Sequence, residues 1–128
     1  MTEQPRWLRK RLPTPEAPLI FIVDGDASVR RSIGRFVRSL GMPAETFASA
    51  QDLLNSERLT EAACLILHVR MPNMDGPELQ RRLRETGQRI PVAFISGRAT
   101  KEEEDQALRS GAVAFFCESQ LRRTRCWA

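Results

Sequence analysis

The side chains of this 128-residue chain that could do chemistry together stand at the ends of apolar runs. His68 closes Leu65-Ile66-Leu67 and precedes Val69-Arg70-Met71-Pro72-Asn73-Met74-Asp75-Gly76. Asp24, Gly25 and Asp26 follow Leu19-Ile20-Phe21-Ile22-Val23. An imidazole can accept a phosphoryl group. It can also ligate zinc, but no second His or Cys stands at useful spacing from His68. Carboxylates can enter the near-octahedral oxygen shell of Mg²⁺. Asp26 has an equally simple use as the N-cap of a following helix. Ser96, in Ile95-Ser96-Gly97, offers a hydroxyl at the end of another apolar run, where serine also serves ordinary turns. Phe115 is an aromatic in a fifth apolar run and fits a plain core position equally well.

The elements that must hold these residues alternate. Leu19 to Val23 has the continuous apolarity of a strand buried on both faces. Val29, Ile33, Phe36, Val37 and Leu40 recur at helical spacing, and Gly41 supplies a stop. A short strand fits Pro43–Phe47, and Ser49 caps a helix that buries Leu53-Leu54. Cys64–Val69 is the central strand. Asp75-Gly76-Pro77 opens a third helix with proline in its first turn, and Leu79 and Leu83 face inward. Ile90–Ile95 is a fourth strand. Thr100 and Glu103 form a capping box for a helix ending at Ser110-Gly111, and Val113–Phe116 is a fifth strand. Such alternation predicts a parallel sheet wound on both faces, with function at the carboxyl ends of its strands.

The run from Leu65 to Gly76, the acids after the first strand, Ser96, Phe115 and Gly111 resemble, in order, the receiver domain of bacterial response regulators. The resemblance covers residues 19–116. It implies a flavodoxin-like, doubly wound sheet of five parallel strands in a two-component phosphorelay module that is not an enzyme. It also implies a phosphoacceptor aspartate at the end of the third strand, where this chain has His68. Mg²⁺ in that family is held by acids after the first strand; the matching slots are Asp24 and Gly25, with Asp26 next. Ser96 matches the switch hydroxyl and Phe115 the switch aromatic. The slot of the lysine after the fifth strand holds Glu118, whose carboxylate would repel a phosphoryl anion, and Ser119 stands in the proline slot. The expectation is a degenerate receiver, with Mg²⁺ weak or lost and no other cofactor. Partners implied are a sensor histidine kinase or an output module. A phosphorylatable regulator with a non-standard acceptor and a decayed gene product are the alternatives. A nucleotide- or flavin-binding enzyme competes from another class, but Asp24-Gly25-Asp26 presents carboxylates where a Gly-rich phosphate loop belongs.

Charge and termini complete the expectation. The formal charge is +4. Residues 19–116 carry 13 basic and 13 acidic groups, so the excess lies in an N-terminal arm, 1–18, and a C-terminal tail, 117–128. A neutral core argues against direct nucleic-acid binding. No apolar run is long enough for a membrane span and no signal segment opens the chain, which predicts a cytoplasmic protein with free thiols at Cys64, Cys117 and Cys126. The tail lacks the amphipathic pattern of the family's last helix, so that helix is expected to be missing or altered. Read from the last base of each codon, Cys117 to Leu121 can encode Arg-Lys-Pro-Val, which restores the Lys-Pro pair. A frameshift near Phe116 is therefore expected, and the coding DNA decides it.

Overall fold

The computed structural model describes residues 18–98 and 100–117. The expectations for the N-terminal arm, the final helix, Glu118, Ser119 and Cys126 fall outside those residues. The chain order is β1 (Leu19–Val23), α1 (Ala27–Ser39), β2 (Ala44–Phe47), α2 (Ala50–Leu54), a 3-10 turn (Leu59–Glu61), β3 (Ala62–His68), α3 (Gly76–Glu85), β4 (Val92–Ser96), α4 (Lys101–Arg109) and β5 (Ala114–Cys117). All five strands are parallel in the order β2-β1-β3-β4-β5. This is the flavodoxin-like order, in which the chain reverses direction of growth after β2 and leaves a crevice between β1 and β3. Asp24 and His68 follow that crevice's two walls.

Side chains alternate across the sheet because successive Cβ atoms in a strand point to opposite faces. Phe21, Val23, Leu65, Leu67, Phe94 and Phe115 face the larger core, closed by Leu53 of α2 and by Leu79 and Leu83 of α3. Ile20, Ile22 and Ile95 face a smaller one, closed by Ile33 and Val37 of α1. On that side Ile66 and Cys64 are half-buried and Phe116 is 43% exposed.

Local chemistry sets the ends of the elements. Asp26, Ser49, Asp75 and Thr100 each cap a helix by accepting a backbone N–H. The Thr100 box has only one strong leg: Glu103 N–H donates to Thr100 Oγ1 at 3.1 Å, while the Glu103 carboxylate accepts the Thr100 hydroxyl at 3.5 Å and Arg70 at 3.4 Å. β3 begins earlier than expected, at Ala62, because β1 pairs it there across an irregularity. β4 begins later, at Val92, because Pro91 has no N–H for the ladder. The free-thiol expectation holds for Cys64 and is corrected at Cys117, which is disulfide-bonded.

Candidate functional site

Asp24, Gly25, Asp26, Val29, His68, Arg70 and Pro72 line an open depression of about 410 Å³ at the carboxyl ends of β1 and β3. Asp24 is brought there by β1, whose last amide bonds run on into Asp24 N–H, donated to the Phe47 carbonyl at 3.1 Å. Its side chain is buried, with 2% of the residue exposed. Oδ1 accepts the Asp26 N–H at 2.9 Å, and its backbone carbonyl accepts Arg30 Nη1 at 2.7 Å. Oδ2 is buried with no hydrogen-bond partner among the described residues. Loss of hydration lifts the Asp24 carboxyl above its ordinary 3.8, against the opposing pull of the Asp26 amide and of nearby His68.

Asp26 is exposed and spends its carboxylate on the start of α1, accepting Ser28 N–H at 2.7 Å and Val29 N–H at 3.2 Å. The N-cap reading is thus the one the geometry realises. Gly25 contributes no donor. A Cβ there would meet only Pro72 Cδ at 3.6 Å, an ordinary contact, so the backbone does not require glycine.

His68 ends β3, half-buried. Its Nδ1 lies 2.6 Å from the Arg70 carbonyl and 3.2 Å from the Arg70 N–H. The shorter contact fits an Nδ1–H that donates to the carbonyl. Arg70 itself went unnoticed in the sequence. It stands two residues beyond His68, a spacing at which a short polar side chain reaches the backbone ahead of it, and that was the available signal. Its guanidinium leaves the depression's centre to pair with Glu103 of α4 at 3.4 Å. Beyond it, Asn73 takes a left-handed φ of 72°, which asparagine tolerates. Gly76 is required: a Cβ there would lie 2.6 Å from the His68 carbonyl oxygen and 2.8 Å from the Phe94 ring.

Ser96 ends β4, buried, and its hydroxyl donates to the Arg98 carbonyl at 2.7 Å. It does not line the depression. Phe115 is 7% exposed within the larger core and forms part of a different cavity, beneath α4, with Val69, Phe94 and Ala107. The structure therefore gathers Asp24, Asp26 and His68 and leaves Ser96 and Phe115 at its edges.

An all-oxygen Mg²⁺ shell does not fit this donor set. Asp24 Oδ2 is an unsatisfied anionic oxygen, but Asp26 is engaged as a cap, Gly25 has no side chain, and His68 offers nitrogen. Among the described residues no group of three or more His, Cys, Asp or Glu converges on one point.

The response regulator receiver domain profile matches residues 20–118. The chain belongs to the receiver family. It is 43% identical over 100 residues to the response regulator protein TodT of Pseudomonas putida, covering 78% of this receiver chain and 44% of TodT. Against the response regulator protein TmoT of Ectopseudomonas mendocina it is 37% identical over 116 residues, covering 91% and 53%. This receiver chain spans about half the length of the curated relatives it matches. Among solved structures, the response regulator StyR superposes with a TM-score of 0.69 at 37% identity, over 79% of this chain and 51% of StyR. The chemotaxis protein CheY4 of Vibrio cholerae superposes at 0.71 with 20% identity, over 84% and 94%, which shows the receiver fold alone. Receivers in this family are signalling modules that generally bind Mg²⁺ at the phosphorylation site. No helix among the described residues is long and apolar enough to cross a membrane.

Proposed function

We propose that this receiver, residues 19–116, transmits signals through protein–protein contacts and is not phosphorylated in its family's usual way. The observation that carries the reading is His68 at the end of β3, in the phosphoacceptor position that the resemblance assigns. Phosphoryl transfer depends on charge neutralisation by a metal and cationic groups around a correctly placed nucleophile. Here the acceptor carboxylate is an imidazole whose Nδ1 is held by the Arg70 backbone, and Gly25 stands in an acid's slot. Asp26 acts as a cap rather than a metal ligand. Glu118, outside the described residues, occupies the lysine slot. Asp24 and Asp26 are vestiges of a Mg²⁺ site, and Ser96 and Phe115 are switch positions without a phosphoryl group to sense. The chain is a cytoplasmic binding module, not an enzyme. Its partners are a sensor histidine kinase or an output module, and its neutral core does not contact nucleic acid.

Incubation with acetyl phosphate and Mg²⁺, followed by intact-mass analysis without acid, tests this. The expected mass is unchanged. A stoichiometric phosphoryl adduct, at His68 or elsewhere in the depression, would overturn the proposal.

A further inference from the structure

We propose that α1 is a docking surface for α4 of a second copy of this chain, so that copies associate head to tail. The contact lies away from the depression at β1 and β3 and does not depend on whether that site is phosphorylated.

Residues 19–116 are neutral in sum, with 13 basic and 13 acidic groups, but the charge is divided between helices. α1 holds Arg30, Arg31, Arg35 and Arg38 and no acid. Arg30 Nη1 donates to the Asp24 carbonyl at 2.7 Å and Arg38 Nη2 to the Ala44 carbonyl at 3.3 Å, neither of which neutralises a cation. Arg31 and Arg35, one helical turn apart, are exposed, and among the described residues no arginine of α1 is in an ion pair. Phe36, 47% exposed, and Leu40, 58% exposed, form an adjoining apolar stripe, also one turn apart. α4 carries the converse. It holds Glu102, Glu103, Glu104 and Asp105 against Lys101 and Arg109, and it buries no residue. Glu103 is taken by Arg70 at 3.4 Å and Asp105 by Lys101 at 3.8 Å, so Glu102 and Glu104 stay outside any ion pair among the described residues. Leu108, 44% exposed, stands one turn after Glu104. Each helix thus shows exposed charge beside exposed apolar surface, with opposite sign. The two pack on opposite faces of the sheet: Ile33 and Val37 of α1 close the smaller core, and Ala107 of α4 borders the larger. They do not meet within one molecule, but α1 of one copy can meet α4 of the next. Pairing α1 with α1, or α4 with α4, would set like charges together, which electrostatics opposes. Such a contact is heterologous, and each pair leaves one α1 and one α4 open to further copies. Exposed ion pairs are individually weak and screened by salt, so the association is of low affinity.

The test is sedimentation of the full chain over a range of protein concentrations at low and high salt. The average mass is expected to rise with concentration at about 0.01 M salt, where the Debye length is about 30 Å, and to fall to that of the monomer at about 1 M, where it is about 3 Å. Two charge-reversed variants locate the contact. Arg31→Glu with Arg35→Glu makes both helices acidic, and Glu102→Lys with Glu104→Lys makes both basic, so each variant alone should associate about tenfold more weakly than the parent. Mixed one to one they should associate again, because each α1 then faces an α4 of opposite sign. The salt series on the unmutated chain stands even where a variant fails to fold. A parent that stays monomeric at low salt would overturn the proposal. So would association that persists at high salt and in both variants, which would place the contact on an apolar surface such as that at Phe116, or a mixture of folded variants that stays monomeric.

Discussion

Asp24 concentrates the electrostatic tension of this site, because its carboxylate is buried and only half satisfied. Burial lifts its folded-state pKa above 3.8, so the folded chain holds the Asp24 proton more tightly than the unfolded one. Stability from this residue is therefore fully present below about 3.8 and falls as pH rises through the folded value. Above that, the group is a net cost. Asp24→Asn should raise neutral-pH stability by about 1 kcal/mol, with little difference between variant and parent at the acidic end. Urea denaturation at several pH values checks this, and a variant less stable than its parent at neutral pH would show that Oδ2 has a partner in solution. His68 and Arg70 work together at this scale too. The imidazole binds the backbone of the turn that follows it, through Nδ1 and the Arg70 carbonyl and N–H.

Two glycines separate what an element tolerates from what the packing of elements demands. Gly76 opens α3 directly against the end of β3, where a Cβ would meet the His68 carbonyl at 2.6 Å and the Phe94 ring at 2.8 Å. Neither a backbone oxygen nor a core ring yields cheaply, and overpacking costs about 1–3 kcal/mol. Gly76→Ala should destabilise by at least that much. Gly34 lies within α1, and the nearest atom to its Cβ would be Arg38 Nη1 at 3.1 Å, the tip of a flexible chain. Glycine inside a helix loses about 0.8–1 kcal/mol relative to alanine. Gly34→Ala should therefore stabilise, by about 0.5 kcal/mol once Arg38 has moved. Thermal melts of the pair should shift in opposite directions. The helix α4 differs from the others in kind: none of its residues is buried, its start is capped by Thr100, and the Arg70–Glu103 pair links it to the rim of the site.

Among the described residues, the two faces of the sheet are covered unequally. One face carries a broad core in which Phe21, Leu65, Leu67, Phe94, Leu53 and Leu79 are fully buried. The other closes mainly on Ile33 and Val37 of α1, with Ile66 half-buried and Phe116 exposed. Phe94→Ala should cost about 3–5 kcal/mol through lost transfer energy and the cavity left behind. That rivals the whole stability of a small domain, so the variant should be largely unfolded at ordinary temperature. Ile66→Ala should cost only about 1–2 kcal/mol, since part of its surface already meets water. Denaturant midpoints of the two variants check the contrast, and equal losses would mean that the second face is as well covered as the first.

Alternation of strand and helix, the caps at Ser49 and Thr100, and the helix start at Asp75-Gly76-Pro77 were determined by sequence alone, because each rests on residues near one another in the chain. Hydrophobic period and capping chemistry act over a few positions, so they survive as a local signal. The sequence left two uses open for Asp26, and only the folded loop chose the cap. It gave no hint that Asp24 Oδ2 is buried without a partner among the described residues, because burial is decided by β2 and β3 arriving on either side of β1. Arg70 escaped notice for the same reason: its partner Glu103 is 33 residues away, and only the packing of α4 beside β3 brings them together. Gly76 matched a family pattern in the sequence, but its necessity comes from the His68 carbonyl and the Phe94 ring that the fold presses against it. Contacts distant in sequence form only when the whole sheet assembles, and the character of this site depends on them.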